Sequence, residues 1–296
     1  MTRTLTERRV VVTGMAGISP IGNDWDAVRS HLGSYRNAIV RMDEWAGYDG
    51  LNTQLAAPAV EFGLSERYTR KTMRSMGRVA LMATRASELA LADAGLLDDP
   101  VLKSGACGVA YGSSAGTPKA IGDFGRMMDE RSTRGINATT YIKMMAHTAP
   151  VNIGVFFGIT GRMITTSSAC TSGSQGIGYA YEAIRSGRQA VMVAGGAEEL
   201  CATEAAVFDT LFATSNSGLP SSLRKKLNAP RISSVSKPTT ITASRATTST
   251  RARSPGTRLP SSGAVDWTIT YTSSPANSAG NRCRQSTSSR ATPAST

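Results

Sequence analysis

The sequence predicts an α/β fold: a mostly parallel sheet with helices on both faces. Short β-branched runs bounded by glycine recur at Val10–Thr13, Gly108–Tyr111, Met163–Thr166 and Ala190–Ala194. Longer segments with helical spacing separate them, and strands alternating with helices build parallel sheets. No tandem repeat of short period competes with that reading.

The first run opens VVTGMAGISPIG, Val11 to Gly22. A dinucleotide-binding fingerprint would need glycine where Ile18 stands, and Pro20 interrupts the expected helix start. The segment is therefore read as a first strand ending in a tight turn. In MGRVALMATRASELALADAG, Val79, Met82, Ala83, Ala86 and Leu89 follow helical spacing, and Gly95 stops the run. The helix after Cys170 carries Gly173, Gly176 and Gly178 early, with Gly187 as its C-terminal cap. Each glycine costs up to about 1 kcal/mol relative to alanine in a helix. A helix that keeps several is expected to pack too closely for a Cβ, covered on more than one side.

The net charge of +12 is not spread along the chain. Twelve of the 33 Lys and Arg, but one of the 21 Asp and Glu (Asp266), follow Ser215. Up to Ser215 the basic and acidic side chains nearly balance, at 21 and 20, so no basic groove for nucleic acid is expected on the body. From Asn216 onward Ser and Thr number 31, while Leu, Ile, Val and Phe number nine. That falls below the roughly 20 per cent needed to offset ordering entropy. The chain thus divides into a folded body, 1–215, and a Ser/Thr/Arg/Pro-rich segment, 216–296, expected to be disordered or poorly packed.

Cys107, Cys170, Cys201 and Cys283 show neither metal-type spacing nor a disulfide framework. The apolar run at the start is too short for a signal peptide, and no 18-residue apolar span follows. A cytoplasmic protein with reduced thiols, no metal and no membrane partner is expected.

Two corners could carry a nucleophile. GSSAG, Gly112 to Gly116, matches the G-x-S-x-G elbow, whose serine needs an acid and then a histidine downstream. Of the two histidines, His31 and His147, only His147 follows, and it lies close in sequence for a triad partner. The other corner is Cys170. Met163–Thr166 reads as a strand, Ser167–Ala169 as a turn and Cys170 as the first helical residue. Helix N-terminal amides stabilise a thiolate and the oxyanion of acyl transfer. Free cysteines are also commonly buried and inert, so position alone leaves both readings open.

Four segments together are similar to one family. RRVVVTGMAGISPIG (Arg8–Gly22), ACGVAYGSSAG (Ala106–Gly116), ITTSSACTSGSQGIGYAYEAIRSG (Ile164–Gly187) and VMVAGGAEE (Val191–Glu199) occur in order. They resemble the elongating β-ketoacyl-acyl carrier protein synthases of the thiolase-like superfamily. The likeness covers about residues 8–215, the first half of a duplicated αβαβα layered fold. It implies that Cys170 accepts an acyl chain from acyl carrier protein, for condensation with decarboxylated malonyl-carrier protein in fatty acid biosynthesis. It implies no cofactor, and a homodimer whose first-half sheets join. A non-catalytic subunit binding carrier protein or a full-length synthase is the alternative.

The family's second half supplies two histidines, a lysine and a glycine-rich oxyanion loop. No histidine follows His147, and His31 and His147 do not match the family positions. Donors of this kind are each worth about 10²–10⁴ in rate, so condensation by this chain is expected to be lost. Family-like sequence ends abruptly at Leu211–Ser215, the pattern a frameshift in a GC-rich gene produces. Translating the other two frames beyond codon 215 is expected to recover histidine-bearing condensing-enzyme sequence. Finding none in either frame would overturn the frameshift.

Overall fold

In the central strands, alternate residues serve opposite faces, as the period of two requires. Cys107, Val109, Tyr111, Val191 and Val193 enter one core cluster, while Ala110, Met192 and Ala194 enter another. The computed structural model describes residues 8–59 and 61–214, together with the backbone of 266–274.

In chain order the elements are β1 (Arg9–Ile18), α1 (Trp25–Gly33), β2 (Val40–Arg41), β3 (Leu55–Ala56), α2 (Arg78–Asp93), β4 (Cys107–Gly112), α3 (Pro118–Glu130) and α4 (Ala138–Met144). Then follow α5 (Thr148–Phe157), β5 (Met163–Thr166), α6 (Ser172–Arg185), β6 (Val191–Gly196), α7 (Ala202–Thr210) and β7 (Asp266–Ser274). β2 and β3 form a separate antiparallel ribbon. The main sheet has the order β1-β7-β6-β4-β5, with β4 parallel to both β5 and β6. β5 is an edge strand.

Helices α2 and α5 cover one face through Val79, Ala83, Leu91, Ala149, Ile153 and Phe157. α6 covers the other through Ala180, Ala183 and Ile184. The described residues thus build three layers, αβα, of the five the resemblance implies. The first strand is longer than the sequence suggests. It runs to Ile18 with an irregularity between Val12 and Gly14, and closes in a turn where Ser19 and Gly22 exchange backbone hydrogen bonds. That corner is a strand ending in a tight turn, as its sequence indicates.

The expectation that 216–296 is disordered or poorly packed lies outside the described residues except at Asp266–Ser274, whose backbone forms β7. β7 sits between β1 and β6, antiparallel to both, pairing Thr270 with Gly14 on one side and Val193 on the other. Composition averaged over the whole of 216–296 hides an unbroken run of β-branched and aromatic residues, Trp267–Thr272, which is suited to a strand.

α6 departs from expectation in part. A Cβ on Gly176 would lie 2.6 Å from the Ala110 carbonyl oxygen, so that glycine is required by packing. Gly178 instead has open space around it, and Tyr179 and Tyr181 are 45% and 42% exposed. Only one face of α6 is covered among the described residues, which is the consequence of having a single sheet to lie on.

Thr270→Pro removes a ladder donor from a strand paired on both sides. Leaving a carbonyl unpaired there costs about 1–3 kcal/mol, so the urea unfolding midpoint is expected to fall. An unchanged midpoint would overturn the place of β7 in the sheet.

Candidate active site

The parallel strands β4, β5 and β6 end side by side, and the chain leaves β4 and β5 in loops of small residues, Ser113–Gly116 and Ser167–Ala169, and β6 through Ala197 into Glu198 and Glu199. Their junction is tight. A Cβ on Gly196 would lie 3.0 Å from Gly173 Cα, and one on Gly112 would lie 2.7 Å from Ser172 Cβ. The N-terminus of α6 can rest on the strand ends because Gly112 and Gly196 lack side chains. The Tyr111 hydroxyl donates to the Gly196 carbonyl at 3.2 Å, and the Ala197 amide to the Gly112 carbonyl at 3.0 Å, binding β4 to β6 at that end.

Cys170 stands at the exposed rim of this junction. The helix starts at Ser172, so Cys170 is not its first residue, as the spacing suggests, but lies two residues earlier. A tight turn intervenes. Ala169 adopts a left-handed conformation with φ +51°, and the amides of Thr171 and Ser172 donate to the carbonyls of Ser168 and Ala169 at 3.2 and 3.0 Å. The thiol is thus presented by a closed turn rather than by the first helical residue. The turn leads directly into the N-terminus of α6 at Ser172.

Ser114 is not assembled into a triad. Its amide donates to the Glu198 carboxylate, and the neighbouring Ser113 hydroxyl donates to the other carboxylate oxygen at 3.5 Å. No hydrogen bond joins Ser114 to His147 among the described residues. His147 is the N-cap of α5, with its ring 6.2 Å from that of Tyr141, and His31 lies in the last turn of α1. Neither histidine hydrogen-bonds to Cys170 among the described residues. Cys107 is fully buried in the core, and burial pushes its thiol up to about 12, consistent with an inert structural cysteine. Cys201 caps α7, its sulfur accepting from the Glu204 amide at 3.5 Å.

Sequence reasoning missed Glu198 and its neighbours. Burial raises the carboxyls of Glu198 and Glu199. That of Glu204, in the first turn of α7, is pushed up to about 7 by burial, with the charges of Glu198 and Glu199 acting in the same direction. The doublet Glu198-Glu199 directly after a buried strand was the available signal.

This α/β layer, with its thiol on a strand-to-helix turn, belongs to a recognised class. The family model described as "Beta-ketoacyl synthase, N-terminal domain" matches residues 7–227, and the chain belongs to that family. Its fold is thiolase-like. It is similar to 3-oxoacyl-[acyl-carrier-protein] synthase 1 of Haemophilus influenzae, 34% identical over 214 residues, covering 70% of this chain and 51% of that protein. A crystal structure of a β-ketoacyl synthase from Burkholderia phymatum is 40% identical with a TM-score of 0.74, covering 90% of this chain and 59% of the other. A type II polyketide ketosynthase in complex with its acyl-carrier protein, 18% identical with a TM-score of 0.61, shares the fold. The chain spans about half the length of the curated relatives it matches.

Glu204 makes stability depend on pH. Its folded value exceeds the ordinary glutamate value of about 4.3, so the folded chain holds a proton that the unfolded chain has released. That contribution is fully present below about pH 4 and is lost as pH rises through about 7. Glu204→Gln should therefore unfold at a higher temperature than the parent at pH 8, with the gap closing toward pH 4. A gap independent of pH would overturn this account.

Proposed function

We propose that Cys170 is the acyl-accepting nucleophile of a 3-oxoacyl-[acyl-carrier-protein] synthase, and that this chain retains the acyl-transfer half of that chemistry. The observation that carries the reading is the exposed thiol on a hydrogen-bonded turn two residues before α6. Family membership and the names of the relatives support it.

In the transfer, the Cys170 thiolate attacks the carbonyl carbon of an acyl thioester on acyl carrier protein. A tetrahedral oxyanion forms, the bond to the carrier's sulfur breaks, and the carrier leaves as its thiol after taking a proton. Cys170 then holds the acyl chain as a new thioester. The following decarboxylative condensation requires hydrogen-bond donors to the malonyl thioester. The chain's two histidines lie on α1 and at the start of α5, and neither hydrogen-bonds to Cys170 among the described residues, so condensation is proposed to stop at the acyl-enzyme. Carrier protein as partner is supported by the polyketide ketosynthase captured with its own. Self-association is supported by β5, which is an edge strand of the main sheet among the described residues. No helix among the described residues is long and apolar enough to cross a membrane, and a cytoplasmic place of action accords with that.

A non-catalytic subunit, binding carrier protein or a complete synthase, is the second reading. The open face of α6, with Tyr179 and Tyr181 exposed, favours it.

Incubation with acyl-carrier protein should give an acyl adduct by intact mass that Cys170→Ala abolishes, and adding malonyl-carrier protein should yield no 3-ketoacyl product. Stable carrier binding without an adduct would overturn the nucleophile and favour the second reading.

A further inference from the structure

The turn that presents Cys170 is closed by one side chain. The Ser172 hydroxyl donates to the Ala169 carbonyl at 2.7 Å and accepts from the Ser168 amide at 3.0 Å. It bridges both residues before Cys170 while its own amide also binds the Ala169 carbonyl. Ser172 is 3% exposed, so its hydroxyl is held at a buried position, while its partners Ser168 and Ala169 lie nearer the surface. Ala169, held on both sides of its peptide, is a non-glycine residue at φ +51°, a conformation that costs free energy and persists only where the surroundings over-determine it.

Two further features fit a fixed Ser172. The absence of a side chain at Gly112 is what lets Ser172 Cβ approach β4. Thr171 reinforces the same turn, its hydroxyl donating to the Ser168 carbonyl at 2.8 Å. Thr171 is exposed, whereas the Ser172 hydroxyl reaches the turn from a buried position.

We infer that Ser172 is a positioning residue for Cys170: its buried hydroxyl clasps Ser168 to Ala169, holds Ala169 left-handed, and fixes the thiol against the N-terminus of α6. The inference rests on the reading of Cys170 as nucleophile but concerns only how the thiol is held. Removing the hydroxyl takes that partner from the Ser168 amide and the Ala169 carbonyl and lets Ala169 relax toward an ordinary conformation. The thiol is then no longer held in one orientation before α6.

The test is site-resolved alkylation of the full chain by iodoacetamide, read by peptide mass, with Cys201 as the internal reference. In Ser172→Ala, Cys170 should react about tenfold more slowly relative to Cys201, the scale of one to two lost hydrogen bonds. Ser172→Thr, which keeps a hydroxyl, should restore the rate to within about threefold. An unchanged Cys170 rate, an equal change at Cys201, or failure of threonine to restore the rate would each overturn the inference. Alkylation needs no carrier protein. Selective slowing without any acyl adduct would therefore uphold the clasp and reject the proposed acyl transfer, and the reverse pair would do the opposite.

Discussion

The site depends on how closely α6 approaches the sheet. Gly176 over the Ala110 carbonyl and Gly173 against Gly196 let the helix backbone rest on the backbones of β4 and β6. A side chain at Gly176 would push the helix outward, and the turn before it would no longer meet the strand ends. These glycines weaken the helix in isolation, yet they place its positive end where three strands deliver their loops. Local stability is traded for the position of one terminus.

That position explains the different behaviour of three cysteines. Cys107 lies inside β4, where burial keeps its sulfur protonated and inert. Cys201 caps a helix, its sulfur engaged by the Glu204 amide and in contact with the Thr203 hydroxyl at 3.0 Å. Cys170 alone among them is exposed and borne on a turn that other residues close. The opposite corner, around Ser114, carries a nucleophile-like motif whose nearest acid binds backbone and a neighbouring hydroxyl. Glu198 there ties the β4 loop to β6 and organises no triad.

A single sheet leaves α6 half covered. In a layered fold such a helix is shared between two sheets, and here its outer face carries partly exposed tyrosines. β7 answers a different need. The sheet places β1 beyond β6 with room for one strand between them, and a segment far along the chain fills it in antiparallel sense. Its Ser- and Thr-rich surroundings obscure it in composition, because an average over everything after Ser215 has no power to find one short strand.

The sequence by itself determined the alternating elements, the strand-to-helix corner at Cys170, the glycine signature of a close-packed helix and the family. These are written in residues near one another, where periodicity and turn chemistry act directly. Met163–Thr166 forms a strand with the bounds its sequence indicates, and the other strands shift by a few residues at their ends. Tertiary structure alone decided that β7 enters the sheet, that Glu198 binds a loop 84 residues away, and that a turn separates Cys170 from its helix. The first two are pairings between distant segments, which exist only once the sheet has formed. The third depends on Ser172 fitting beside Gly112 of another strand, where no side chain blocks it, so the hydroxyl that closes the turn before α6 carries no mark in the local sequence.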